Sequence, residues 1–254
     1  MRTWALSLSA LMISMLGCSG DKETDTADGS SSSADAVCEE PVDVECVDQI
    51  ILDLSLHDDK VSEGEVATTT DGDDFVTTID ASAGGYNAAA DNPWVYIRFT
   101  EDGAERVDID DETALESMDW DLSMRRFILR LNGGSSGPSC VGAASFLEST
   151  YDELTEVPEG ISYVLDAYYT SDCTIINDSS GLPDNPQVAL SPWWSYSSCL
   201  VTTGVPQLIQ LADGHVLKMV VESYYGSGQE DCNATGASGD DSAFYTLRWT
   251  WMTR

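Results

Sequence analysis

Apolar residues recur along this chain in short alternating or continuous runs separated by Gly, Asp, Asn and Pro, and no stretch keeps a 3.6-residue period for three turns. The pattern predicts an all-β fold. Ile50, Leu52, Leu54 and Leu56 alternate with Ile51, Asp53, Ser55 and His57, which predicts a strand over 50–56 with His57 on the outer face. Val95, Ile97 and Phe99 alternate against Trp94, Tyr96 and Arg98 between Asn92-Pro93 and Asp102-Gly103, predicting a second strand over 94–99. Further strands are expected at 120–131, 163–170, 207–224 and 244–252. Within 207–224, Asp213-Gly214 separates two apolar runs. An Asp-Gly pair tolerates the positive φ angles of a two-residue hairpin turn, so Leu211 is expected to face Val216, and Ala212 to face His215. Residues 110–117 carry helix formers enough for one or two turns. No repeat at a fixed period is present, which argues against propellers and solenoids.

The N-terminal residues break this pattern. Arg2 followed by the apolar run Trp4 to Leu16 reads as a secretory signal, short of the ~20 residues that span a bilayer. The run ends in Met15-Leu16-Gly17-Cys18, which resembles a bacterial lipobox. Residues 1–17 are therefore expected to be cleaved and Cys18 to be acylated, with Ser19 pointing to the outer membrane, on its periplasmic or cell-surface side. Residues 18–37, rich in Ser, Asp, Thr and Gly, cannot bury a core and are expected to form a flexible tether spanning roughly 25 Å. Residues 38–254 remain as one all-β domain.

Charge narrows the partners. Eleven Lys and Arg stand against 45 Asp and Glu, a formal net charge of -34, so nucleic acid is repelled and the membrane is reached only through the lipid anchor. A hydrophobic fraction of 42% with 7 Trp, 10 Tyr and 5 Phe is nevertheless enough for a core. Beyond Cys18, the cysteines are Cys38, Cys46, Cys140, Cys173, Cys199 and Cys232. In an exported chain six cysteines without C-x-x-C spacing predict three disulfides and no metal site. About 15 connectivities leave the pairing open, although Cys38 and Cys46 are near enough to close a small loop.

Ser117-Met118-Asp119-Trp120-Asp121-Leu122-Ser123-Met124-Arg125-Arg126-Phe127, running on to Asn132-Gly133-Gly134-Ser135-Ser136-Gly137, resembles the hallmark of HmuY-like lipoproteins, a Trp-Asp strand with basic residues leading to an Asn-Gly-Gly turn. Trp94-Val95-Tyr96 precedes it in the family's order. Trp193-Trp194-Ser195-Tyr196, Ala212-Asp213-Gly214 with Lys218, Ser223-Tyr224-Tyr225 and Phe244 to Trp249 follow, so the resemblance spans roughly residues 90 to 252. It implies an extended, twisted antiparallel β domain, stapled here by disulfides, on an outer-membrane lipoprotein, with haem bound by some members. The family's haem iron is gripped by two histidines of the middle region. This chain has no histidine between His57 and His215 and no methionine between Met124 and Met219, so that ligand pair is not found, and haem binding is expected to be of another kind.

His215, just past the hairpin turn, is one candidate for an axial ligand, although a solvent-facing hairpin residue is the plainer reading. His57, beside Asp58 and Asp59, reads as surface. Tyr168, Tyr169 and Tyr196 offer phenol oxygens, and Trp193 and Trp194 offer ring faces on which a planar ligand can stack. Arg125, Arg126 and Arg130 form a cationic stretch that could receive a propionate, phosphate or carboxylate, but internal pairing with Asp119, Asp121 or Glu116 is the expected arrangement. The aspartate runs at 70–74 and 108–112 lack the spacing of a calcium loop. No nucleophile elbow, metalloprotease helix or phosphate loop occurs, so the chain is not expected to be an enzyme. Two readings follow: a surface-tethered protein that binds a small planar or haem-like ligand and hands it to a transporter, or a structural or adhesive module with no small-molecule site.

Overall fold

In the computed structural model, which describes residues 37–178 and 186–253, the apolar runs become antiparallel strands of three sheets among the described residues. Cys18, the signal segment and residues 19–36 lie outside the described residues. The first sheet orders its strands β1 (Val66–Asp71), β2 (Asp74–Asp80), β12 (Ser242–Trp251), β11 (Val216–Tyr225), β10 (Gln207–Gln210) and β7 (Gly142–Ser145). The second orders β4 (Gly103–Val107), β3 (Val95–Thr100), β5 (Leu122–Arg125) and β6 (Ile128–Leu131). A two-stranded sheet pairs β8 (Trp194–Tyr196) with β9 (Leu200–Thr202). Short helices α1 (Val47–Asp53), α2 (Asp111–Ala114) and α3 (Glu230–Thr235) decorate them.

The alternation around β3 explains the layering. Val95, Ile97 and Phe99 join the main core with Leu217, Met219, Leu247 and Trp249 of the large sheet. Trp94 and Tyr96, one residue out of phase, enter a second core with Ile50, Leu54, Leu115 and Trp120. The middle of the four-stranded sheet is thus buried on both faces, while Arg98 and the Glu105–Arg106 end of β4 reach solvent.

The strand expected at 50–56 is a helix. Residues 50 and 54 fit an inward face at either period, and Leu52 discriminates: a strand would bury it, whereas here it is 72% exposed while Ile50 and Leu54 pack inward. The run expected as one strand at 120–131 is the β5–β6 hairpin, with Arg125 opposite Ile128. Arg126 turns it at φ 54 without a glycine, held by its N–H on Ala81 O, its guanidinium on Ser242 and its carbonyl under the Tyr245 hydroxyl. Residues 163–170 make only isolated bridges, to Ala143, Gly134 and Ile175. Their apolar members face out, Val164 at 61% exposure, while Asp166 and Tyr168 are buried.

The Asp213-Gly214 hairpin forms one residue out of the expected register. Gln210, not Leu211, faces Val216, and the Leu211 N–H bonds His215 O across a three-residue loop with Gly214 at φ 85. A type I turn closed by a glycine bulge matches strand twist as well as the two-residue turn does. Residues 244–252 and 94–99 form strands close to the expected bounds, and 110–117 yields the single-turn α2, capped by Asp110 on Thr113.

All six domain cysteines are in disulfides: Cys38–Cys140, Cys46–Cys173 and Cys199–Cys232. The small Cys38–Cys46 loop does not form. The first two bridges instead join residues 102 and 127 apart in sequence and fasten the N-terminal segment to the sheet core.

Candidate ligand site

The Trp-Asp and Asn-Gly-Gly segments come together, and what they build is a closed knot. Trp120 Nε1 donates to Ala114 O, and Asn132 Nδ2 donates to Ser117 O and Trp120 O. Gly133 and Gly134 sit where a Cβ would lie 2.3 Å from Val141 O and 2.1 Å from Asp166 O, so the turn admits no side chain. Asp166 completes the knot. Its carboxylate accepts from Leu131 N, Ala189 N, the Ser136 hydroxyl and the Tyr168 hydroxyl at 2.6–3.2 Å. Burial outweighs these bonds and pushes its pKa up to about 6. Sequence reasoning passed over Asp166. The available signal is a lone carboxylate inside the apolar run Tyr163 to Tyr169.

The arginines belong to the same enclosed region. Arg125 lies over the Trp94 ring and donates to Ser55 O, Asn92 O and Leu54 O, and burial pulls its pKa down to about 10. Arg130, fully enclosed, stacks on Trp94 and Trp120 and donates to Ser136 O. None of the three pairs with Asp119, Asp121 or Glu116 as expected. Asp119 holds Arg98, and Asp121 accepts from the Phe99 N–H. Carbonyls and ring faces take the place of carboxylates around these cations and offset part of the cost of burying them. The aspartate runs are likewise engaged: Asp71 and Asp74 grip Arg248, and Asp111 accepts from His57 N and Trp94 N.

The candidate ligand residues divide between two cores. Tyr168 is buried in the second core, its hydroxyl against Ser136 and Asp166, and Tyr169 beside it bonds Asp53. Trp193 is buried in the main core between Tyr224 and Tyr245. Trp194 and Tyr196, two apart on β8, line one cleft of about 410 Å³ with Ser191, Pro192, Gln187 and Asp178. Trp194 is edge-on to Phe127, while Tyr196 is 58% exposed and its hydroxyl makes no hydrogen bond among the described residues. The shelf is firmly mounted. The Cys199–Cys232 bridge ties its hairpin to α3, Thr203 N bonds Trp193 O, and Gln229 spans Leu200 O and Tyr224 N.

His215 is solvent-exposed, paired with Asp213 at 3.0 Å and edge-on to Trp251. His57 touches Ala90 O with its ring and meets Asp111 with its backbone. Their neighbours are entirely different, and neither lines the Trp194–Tyr196 cleft. A two-imidazole grip on one iron does not fit these residues. Among the described residues, no three His, Cys, Asp or Glu side chains are grouped to hold a metal ion.

The family model for the HmuY protein matches residues 90–236. No match is found among curated proteins. Among solved structures, a protein of Bacteroides vulgatus described as HmuY-like and heme-binding shares 19% identity at a TM-score of 0.46, covering 75% of this chain and 100% of that one. The apo HmuY analogue of Tannerella forsythia shares 15% at 0.44, covering 77% and 100%. A lipoprotein-type chain of Bacteroides fragilis shares 16% at 0.40, covering 74% and 94%. Likeness at this level says nothing of a ligand in the present chain.

Proposed function

Given that this chain belongs to the HmuY protein family, we propose that it is a lipid-anchored binder of a planar, tetrapyrrole-like ligand held on the Trp194–Tyr196 shelf. The observation that carries this reading is the cleft of about 410 Å³ in which Trp194, buried but for 8% of its surface, and the 58% exposed Tyr196, whose hydroxyl makes no hydrogen bond among the described residues, stand two apart on a disulfide-fastened hairpin. Ring faces bind a macrocycle by stacking, and a phenol oxygen can ligate ferric iron, so neither histidine is required. Among the described residues no Lys or Arg lines the cleft, so the ligand's propionates are assigned to the water side. Haem is cargo here. An anchor on Cys18 and the intervening tether place the site where it can deliver its ligand to an outer-membrane transporter.

Absorbance titration of the mature chain tests the binding: a saturable Soret shift near one equivalent is expected, with metal-free protoporphyrin competing. Detergent phase partitioning tests the anchor, since Cys18→Ser should move the protein to the aqueous phase. The enclosure of Tyr168 and Trp193 favours a second reading, a structural or adhesive surface module. No spectral change at micromolar haem would put that reading first.

A further inference from the structure

On the side of the molecule built by α1 and α2 lies a cleft of about 620 Å³ unrelated to the aromatic shelf. Its floor is apolar: Val44, Val47, Ile51, Leu115 and Pro138. Its rim is acidic: Asp43, Asp58, Asp110, Glu112 and Glu116, with no Lys or Arg lining it. Asp110 caps α2, while the other four carboxylates make no ion pair among the described residues. Val42, 53% exposed, stands on a ridge, and beyond it a second cleft of about 280 Å³ continues past Glu45 and Leu165. The wall is rigid, because Cys38–Cys140 and Cys46–Cys173 bracket residues 38–46 and Val42 N bonds Pro138 O.

We infer that this groove docks a basic, aliphatic-bearing segment of another protein, its Lys or Arg side chains meeting the rim and its aliphatic side chains the floor. An apolar floor framed by unpaired charges of one sign recognises a segment that alternates the two characters, and long-range attraction speeds the encounter. The chain's own residues 18–36 are a poor occupant, with one Lys against five carboxylates. A second copy is no better. Each Lys and Arg among the described residues is already held: Arg98, Arg106 and Arg248 by carboxylates, Arg125, Arg126 and Arg130 by carbonyls, Lys60 by Asp91 O and Lys218 by Tyr151. Among the described residues no cation is left for the rim of another copy, so the proposal assigns the cations to a different protein.

Fluorescence anisotropy of the full mature chain with a labelled peptide of alternating Lys and Leu tests this. Two variants separate the groove from the overall charge: Asp43→Asn/Asp58→Asn/Glu112→Gln/Glu116→Gln, and a control that removes equally many exposed charges elsewhere, Glu101→Gln/Glu148→Gln/Glu156→Gln/Glu159→Gln. The groove variant should weaken binding by about tenfold or more and the control by less than about twofold. On the unaltered chain, a peptide of alternating Lys and Gly should bind about tenfold more weakly than the Lys-Leu peptide, a comparison independent of any variant's folding. Equal losses in the two variants, equal affinity for the two peptides, or no binding of the Lys-Leu peptide would overturn the proposal.

Discussion

Around Asn132 and Asp166 the amide and carboxylate groups are enclosed and hydrogen-bonded, whereas at the cleft Trp194 is buried but for 8% of its surface, Tyr196 is 58% exposed, and the Tyr196 phenol makes no hydrogen bond among the described residues. The first region contains the Trp-Asp and Asn-Gly-Gly segments of the resemblance to HmuY-like proteins, the second its Trp193-to-Tyr196 segment, and the first reaches the surface only along the cleft of about 280 Å³. Its groups close a turn, satisfy buried backbone N–H groups and solvate buried arginines. The Trp-Asp and Asn-Gly-Gly segments therefore build scaffold, and the proposed ligand surface lies apart from them, on a short hairpin. That division explains how a family member can lack the histidine pair and keep the fold.

Breaking the knot should have the largest effect. Asp166→Ala leaves Leu131 N and Ala189 N without their buried acceptor, at a cost of about 4 kcal/mol, a drop in Tm of roughly 10 °C by thermal circular dichroism. Ala189 precedes the shelf by only a few residues, so ligand affinity should fall as well. Opening the Cys199–Cys232 bridge with a paired serine substitution should cost about 3 kcal/mol, as expected for bridged residues 33 apart, and loosen the shelf hairpin.

An effect smaller per pH unit separates the regions by pH. Burial raises Asp121 from 3.8 to about 7 and Asp166 from 3.8 to about 6. The folded state therefore binds protons that the unfolded state does not between about pH 4 and 7. Stability is greatest below the unfolded value and falls as pH rises through the folded values. Acidification from pH 8 to 5 should raise stability by at most about 1.4 kcal/mol per pH unit for each group, read as a higher Tm, and Asp121→Asn should flatten that slope. The smallest stability effect belongs to Tyr196→Ala, within about 0.5 kcal/mol, since the side chain is exposed and unbonded.

Much of the β architecture was legible because alternation at 94–99 and 244–252 reports strand faces directly. The helix at α1 was hidden because Ile50 and Leu54 satisfy both periods and only the exposure of Leu52 separates them. Residues 163–170 misled for the opposite reason: the buried positions are polar, and their bonds to distant backbone groups leave no local trace. Disulfide partners lie up to 127 residues apart, a distance no local pattern encodes. Of the candidate ligand residues, Trp194 and Tyr196 were found by their amphipathic rings, but nothing in the sequence distinguished them from the enclosed Trp193 and Tyr168.

The proposal places the ligand on the shelf and not at the histidines. Haem titration followed by absorbance, run in parallel on the mature chain, on Trp194→Ala/Tyr196→Ala and on His57→Ala/His215→Ala, tests it most directly. The predicted result is saturable binding to the mature chain, unchanged affinity in the histidine variant and at least about a tenfold loss in the shelf variant. A low-spin bis-imidazole spectrum abolished by the histidine substitutions, with the shelf variant binding as tightly as the mature chain, would contradict it.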